Sequence, residues 1–441
     1  MSRIAFISPC GFGNLGDAAI IDSLIAGIRC RLPGAEIVGF TLNPSDTVTR
    51  HRVEAGTCGG FSLPHYPMRP ISRQTENPAG ALREQMDRPP PKRFARRVIA
   101  NLPGARTAWH TATRMRADRK FGREIAERIA GFDHVVVAGG GQLDDLWGGA
   151  FGHPYTLLRW SRAAQRAGAQ FSILSVGTGS LTTATSHAFV TRALNNASYR
   201  SFRDTRSREL AHASPAESIV PDLAYALPID PVITAPRRRP AIGVAPMCYA
   251  DPRVWPNPSP MRYADHIASM AQIAANAAKA GNDVIVFSTD RPDRSPAEEC
   301  YAQAITTLDE DVRSRVRICA PDQTSELIDV LASLDVVVAA RFHGVLLSHV
   351  VGIPAFGVAH ERKVTTLMAE LGQESYCAPI DGLDPTVVDL RIKELLGNRE
   401  SIRTHIASTA AGYRNRVEEQ YDRVFGHVVV RHTSPEVSIA S

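Results

Sequence analysis

The residues of this 441-residue chain best suited to chemistry stand in two short segments more than three hundred positions apart, Gly11 to Ile20 (GFGNLGDAAI) and Arg341 to Gly344 (RFHG). In the first, Gly11, Gly13 and Gly16 permit tight turning and close backbone approach, so that free N–H groups can face a phosphate or carboxylate. The three glycines fall at the intervals of a dinucleotide fingerprint, but Asn14 and Asp17 put an amide and a carboxylate where that loop keeps small residues. A strand-to-helix turn with Asp17 as helix cap is the plainer alternative. In the second segment Arg341 offers a planar fork for a carboxylate or phosphate, and His343 a group that exchanges a proton near neutral pH. An arginine in a structural ion pair and a histidine capping a helix are the alternatives there. Together the two segments point to an enzyme that handles a small phosphate ester.

Both segments lie where an α/β protein would place its ligands. Arg3 to Pro9 (RIAFISP) is an apolar run of strand length, and from Ala18 to Cys30 apolar residues recur at helical spacing. Leu334 to Ala340 (LDVVVAA) reads as a buried parallel strand, which puts Arg341 at its C-terminal end and lets Gly344 open a helix through His349. Further strands are expected at Glu36 to Leu42, His134 to Gly139, Phe171 to Gly177, Tyr199 to Arg203 and Ile219 to Val220, with helices such as Tyr155 to Ala167 and Thr183 to Asn195 between them. Pro228 to Pro240 (PIDPVITAPRRRP) has the prolines and basic triplet of an exposed linker. Beyond it the alternation resumes. Strands are expected at 241–247, 283–288, 316–320, 334–340 and 355–358, and helices at 263–280, 296–308, 325–331, 345–351 and 365–371. Such alternation predicts an α/β protein with parallel, doubly wound sheets. The chain exceeds what one core supports, which predicts two domains of about 200 residues each.

A hydrophobic content of 44% with 22% charged residues is that of an ordinary globular protein. No apolar stretch approaches the roughly 20 residues that span a bilayer. Met1-Ser2-Arg3 leads straight into a strand rather than a signal peptide, so a cytoplasmic location is expected. The seven cysteines are dispersed without a CxxC pair, which predicts reduced thiols, with Cys10 a core residue beside the glycine loop. No metal-ligand set stands out; Asp144 and Asp145 are adjacent, so their side chains diverge on regular structure. Between Arg69 and Arg123 there are fourteen Lys and Arg against four Asp and Glu, a larger excess than the whole-chain charge of +5. A lid over a cleft, a patch meeting an anionic lipid carrier or membrane surface, and a solvated insertion all fit this segment. Nucleic-acid binding does not, for want of interleaved aromatics or a known binding module.

One ordered set of motifs unites these features: GNLGDAAI, Gly139-Gly140-Gly141 after a strand, Arg203-Asp204-Thr205-Arg206-Ser207, Pro221-Asp222, and RFHG followed by Gly352-Ile353-Pro354 and Lys363-Val364. The set resembles the polysaccharide pyruvyl transferase family over roughly residues 1 to 365. The resemblance implies transfer of the enolpyruvyl unit of phosphoenolpyruvate onto two hydroxyls of a sugar, giving a cyclic pyruvate ketal and phosphate. It also implies two Rossmann-like domains facing across a cleft, as in the GT-B arrangement. Residues 1–232 would form the acceptor-side domain, with the basic insertion near 64–123; residues 233–400 the phosphoenolpyruvate-side domain; and residues 401–441 a C-terminal helix and tail. In the GT-B arrangement a last helix crosses back to the first domain, and Ser401 to Phe425 is its candidate.

The same resemblance distributes roles. Arg203 and Arg341 would clamp phosphoenolpyruvate while His343 contacts the phosphate or acts as acid. His153 would be the base that activates the sugar hydroxyl, with Asp17 and Asp144 as alternatives for that task or for holding hydroxyls. Gly13, Asn14, Gly16, Gly140 and Gly141 would line the substrate site, and Lys363 would add charge at the phosphate. No cofactor or metal is required beyond phosphoenolpyruvate as donor. The acceptor partner would be a saccharide, in one version lipid-linked with peripheral membrane contact. Plainer roles stay open: Arg203 paired with Asp204, with Asp204 capping a helix; His153 as a cap; Lys363 in solvent. A GT-B glycosyltransferase using a nucleotide sugar, with Glu361 on the donor ribose, is the competing function, and a non-enzymatic sugar-binding protein the third.

Overall fold

The computed structural model describes residues 2–59, 120–145, 148–229 and 238–426. The basic segment near 64–123 lies almost wholly outside the described residues, as does most of the proline-rich linker. Two parallel sheets organise the rest. The first has the order β3-β2-β1-β4-β5-β6-β7, with β1 Arg3–Ile7, β2 Glu36–Thr41, β3 Glu54–Thr57, β4 His134–Gly140, β5 Gln170–Val176, β6 Tyr199–Phe202 and β7 Ser218–Ile219. The second has the order β10-β9-β8-β11-β12-β13, with β8 Ala241–Ala245, β9 Asp283–Phe287, β10 Val316–Cys319, β11 Val336–Ala339, β12 Ala355–Ala359 and β13 Cys377–Pro379. Their central strands β4, β8 and β11 are buried at every position, as apolar runs covered on both faces must be.

Every expected strand forms within a few residues of its expected place. The edge strands β3 (EAGT) and β13 (CAP) were not expected, and their sequences are too short and too weakly apolar to announce them. Two amphipathic helices, Pro44–His51 and Pro385–Gly397, were likewise not anticipated. The last helix runs from Arg399 to Phe425.

In both sheets the strand order reverses once, between β1 and β4 and again between β8 and β11. Ligands of doubly wound sheets bind at the carboxyl ends flanking such a reversal. The loops found there are the Gly11–Asn14 turn, the Gly139–Gly141 turn and Arg341, so the topology gathers the segments that the sequence separates.

The first helix, Leu15–Arg31, is buried around most of its circumference, with Leu15, Ala18, Ala19, Ile20, Ile21, Leu24, Ile25 and Ile28 all in the core. A helix apolar all round must be covered on more than one side. Here one apolar cluster continues from this helix into Leu327 and Leu331, into Phe342 to Leu347, and into Val417, Tyr421 and Phe425. The two halves therefore share a core.

The crossover helix Arg399–Phe425 completes that core. At about 1.5 Å per residue it is long enough to return from the second sheet to the first. Its buried residues Val417, Gln420, Tyr421 and Val424 form one stripe at helical spacing. Gln420 reaches into the first sheet where β5 breaks register at Ser175, whose φ of 47° is left-handed. There Gln420 Nε2 donates to Ser175 Oγ at 3.1 Å, and the Ser201 hydroxyl donates to Gln420 Oε1. Tyr421 packs on Gly27, with its hydroxyl 3.0 Å from Ser23 Oγ. None of the described helices is long and apolar enough to cross a membrane.

Gly27 gives a test in which two effects oppose. An alanine in mid-helix gains about 1 kcal/mol over glycine. Its methyl would start 2.4 Å from Tyr421 Cδ2, and that ring is fully buried and tethered. Overpacking of this kind costs roughly 1–3 kcal/mol. Gly27→Ala should therefore lower the denaturation midpoint in urea, and a raised midpoint would show that the crossover helix docks loosely.

Candidate active site

The glycine loop is built around Asn14. Its side-chain oxygen accepts the N–H groups of Gly16 at 2.9 Å and Asp17 at 3.1 Å, making it the cap of the first helix. Asp17 is thus not the cap considered from the sequence. Gly11 and Gly13 hold φ values of 116° and 86°, where a side chain would be strained. The loop is zipped to the segment after β9: Leu15 N–H donates to Thr289 O at 3.3 Å, and Arg291 N–H to Gly13 O at 3.2 Å. Asn14 and Asp290 form an antiparallel bridge, with Asn14 Nδ2 3.4 Å from Asp290 Oδ2. The N–H groups of Leu15, Gly16 and Asp17 are consequently engaged within the protein, which corrects the expectation that they stay free for an anion. The loop joins the two halves through these bonds.

Across that seam lies the centre of the site. The His343 side chain, from the second half, packs against Gly16; a Cβ there would fall 2.1 Å from His343 Nδ1. His343 Nε2 is 3.7 Å from Asp222 Oδ2, and Arg203 Nη1 donates to the same oxygen at 3.2 Å. Asp222 is itself fixed by the N–H of Ala224, 3.1 Å from Oδ1. Burial opposes its charge, but His343 and Arg203 hold its pKa at about 2. The Arg203 guanidinium lies 4.5 Å from the centre of the Phe342 ring, a cation–π contact between the halves. It occupies space left by Gly177, where a Cβ would be 2.6 Å from Nη2. Asp204 caps the helix Thr205–Leu210 through Ser207 N–H at 2.6 Å, and Arg203 Nε lies 3.6 Å from it. Both plainer roles considered for this pair are therefore present, alongside the contact to Asp222.

Arg341 has a different setting. Its Nε and Nη2 donate to the two oxygens of Asp293 at 2.8 and 2.7 Å, and Nη2 also meets Cys248 Sγ at 3.3 Å and Asp290 Oδ2 at 3.5 Å. Its fork is thus engaged by a fully buried carboxylate. The second carboxylate of the cluster, Asp290, is pushed up to about 7 by burial and by Asp293 and Asp17, against the pull of Arg341. Asp17 is also raised, by burial, against His343.

Of the remaining candidates, all but Lys363 belong to the first half. His153 opens the helix His153–Ala167, with Nε2 2.7 Å from Gln142 Oε1, and burial lowers it to about 4. Asp144 accepts from Ser180 at 3.4 Å in a space left by Gly179, while Asp145 turns away to accept from Thr182 N–H at 2.8 Å. Gly140, at φ 70°, packs beside Ile20 and Asp17, and Gly141 faces open space. Lys363 Nζ is 3.0 Å from Glu361, whose other oxygen is 3.3 Å from His360 Nε2. Nothing in the sequence marks Asp290, Asp293, His360 or Gly179 as site residues, while Phe342 in RFHG and Gly177 at a strand end carry no assigned role there. Asp222 stood in a motif without a role. Four buried polar atoms around this seam, His343 Nε2, His360 Nδ1, Thr289 Oγ1 and Tyr225 Oη, have no hydrogen-bond partner, as expected where a ligand is to bind.

The sequence profile of the polysaccharide pyruvyl transferase family matches residues 14–362, which takes in the glycine segment from Asn14 onward, Arg203, Asp222, Arg341 and His343. The chain belongs to that family. A search of curated proteins finds no match. Among solved structures, S. aureus MnaA with UDP aligns with a TM-score of 0.56 at 9% identity over 96% of both chains. UDP-GlcNAc 2-epimerase from Methanocaldococcus jannaschii gives 0.52 at 10% over 90% of this chain and 93% of that one. The Neisseria meningitidis enzyme bound to UDP-GlcNAc gives 0.52 at 10% over 96% and 99%. At such identities the likeness establishes the fold alone: this pyruvyl transferase family member has the two-domain α/β architecture of GT-B enzymes.

The Asp290 carboxyl makes the site's stability depend on pH. A group whose pKa rises on folding, here to about 7 from an ordinary value of about 3.9, stabilises the fold while protonated. That contribution is lost as pH rises from about 4 through 7, with a slope approaching 1.4 kcal/mol per unit. Asp290→Asn should flatten the decline of the unfolding free energy over that window. A variant with the parent's slope would place the carboxyl elsewhere in the titration.

Proposed function

We propose that the protein transfers the enolpyruvyl unit of phosphoenolpyruvate to two hydroxyls of a sugar, forming a pyruvate ketal and releasing phosphate. The observation that carries this reading is the Asp222 carboxylate shared by Arg203 and His343 across the seam. It presents a guanidinium and an imidazole side by side at the strand ends of the first sheet and the helix start of the second. With Lys363 they supply the cationic groups that a compact carboxylate-phosphate ester needs.

The chemistry assigns the groups as follows. The first sugar hydroxyl adds through oxygen to C2 while C3 takes up a proton and becomes a methyl group. The second hydroxyl then forms the other C2–O bond as the bond to phosphate breaks. His343, 3.7 Å from Asp222, delivers the proton or stabilises the departing phosphate. His153 is a weak base for the hydroxyl, because burial has taken its pKa into the carboxylate range. Asp17, raised by burial and facing the His343 side of the seam, is the better candidate. Arg341, with its fork on Asp293, acts as a positioning residue for the helix Phe342–Val350 that carries His343. The acceptor is a saccharide, and an anionic or lipid-linked carrier fits the basic segment of the sequence.

For the nucleotide-sugar alternative, Glu361 was the candidate ribose ligand. Its carboxylate is held by Lys363 and His360.

A thermal-shift comparison tests the donor. Phosphoenolpyruvate at 100 times its Kd should stabilise the protein by about 2.7 kcal/mol, and UDP-sugars should leave it unchanged. The reverse pattern would overturn the proposal. His343→Gln should lower kcat by roughly 100-fold or more if the imidazole transfers a proton; a rise in KM alone would confine it to binding.

A further inference from the structure

A cavity of about 260 Å³ adjoins the Arg203–Asp222 pair, and its walls come from three parts of the chain. Arg203, Asp222 and Tyr225 come from the first half, Lys363 from the second, and Tyr413 and Arg416 from the crossover helix. At about 30 Å³ per water it has room for a small ligand. Tyr225 is 2% exposed, its ring is edge-on to Tyr413 at a centroid distance of 4.9 Å, and its hydroxyl has no hydrogen-bond partner. A buried hydroxyl lining a cavity without a partner is a donor waiting for an acceptor. Burial raises its pKa well above the ordinary value, so it stays a neutral O–H donor.

The charged groups sort by engagement. Asp222 is held by Arg203 and Ala224 N–H, and Asp204 caps the following helix. Glu370 stands at the exposed rim. Arg416 is exposed and donates to the carbonyl of Ile219, which leaves the rest of its guanidinium at the mouth of the cavity. The cations of Arg203, Lys363 and Arg416 thus share the walls with the carboxylates of Asp204, Asp222 and Glu370, and a phosphate group can accept from those cations and from the unpartnered Tyr225 hydroxyl.

We propose that this cavity receives the phosphate group of the donor, with Tyr225 and Arg416 as binding residues that complete a site begun by Arg203 and Lys363. The inference rests on the phosphoenolpyruvate reading above. It makes the crossover helix part of the ligand site. Arg416 lies beyond residue 362, where the match to the family ends.

Calorimetric titration of the full chain decides it, using phosphoenolpyruvate, inorganic phosphate as competitor, and pyruvate, which lacks the phosphate. Tyr225→Phe keeps the ring packed on Tyr413, and Arg416→Gln changes an exposed position, so both variants should fold. Each should weaken phosphoenolpyruvate and phosphate about tenfold, the loss of one hydrogen bond to a charged group, and leave pyruvate unchanged. Variants that bind phosphoenolpyruvate with the parent's Kd would overturn the cavity assignment and leave the donor reading standing. Equal weakening of pyruvate would move the carboxylate into the cavity and overturn the phosphate assignment. A parent that binds neither phosphoenolpyruvate nor phosphate would overturn both readings.

Discussion

The Asp222 carboxylate, contributed by the first half of the chain, sits between Arg203 of the same half and His343 of the other, and it supplies the charge that both face. Burying a carboxylate is unfavourable unless it is paired and hydrogen-bonded. Two groups from different domains and one backbone N–H meet that requirement here. The cost of leaving Asp222 unpaired thus ties the seam together as it assembles the site. Removing either neighbour would leave a buried charge poorly compensated, so stability and chemistry are coupled at this point.

Steric constraints fix the same centre. His343 lies where Gly16 has no side chain, Arg203 where Gly177 has none, and Asp144 where Gly179 has none. These three side chains are each placed by a missing Cβ on the opposing backbone, which explains glycines whose φ is unremarkable. The crossover helix then holds the halves in register through Gln420 at the break in β5 and Tyr421 on Gly27. The shared apolar core and these polar anchors make the seam part of the folded body, and domain geometry follows from packing.

Much of this architecture was legible in the sequence because buried parallel strands are near-continuous apolar runs and the connecting helices keep a 3.6-residue period. β4, β8 and β11 announce themselves this way; β3 (EAGT) and β13 (CAP) do not, since both are short and carry almost no large apolar residues, unlike the equally short edge strand β10 (VRIC). Arg203, Arg341, His343 and Lys363 were readable as candidates from their motifs. Their partners were not. Asp293 and Asp290 stand on a loop some fifty residues before Arg341, and nothing local says that a fork reserved for a ligand is engaged by them. The Asn14 cap is a similar case: Asn and Asp three positions apart both suit a helix start, and only the geometry of the turn selects Asn14. Gly177 ends an expected strand and Gly179 follows it, and nothing in either position marks the side chain that packs there.

Two carboxylates with raised pKa, Asp17 and Asp290, flank the seam beside cations already satisfied by other carboxylates. A site so balanced admits a trianionic donor only by rearranging these pairs or by taking up protons, both consistent with a centre where proton transfer is part of the reaction. The central claim is that the donor binds at the seam, held jointly by both halves around Asp222. The most direct measurement is a crystal structure of the full chain with phosphoenolpyruvate at saturating concentration. The account predicts density for the ligand within hydrogen-bonding distance of Arg203, His343 and Lys363. Density confined to one half, away from Asp222, would contradict it.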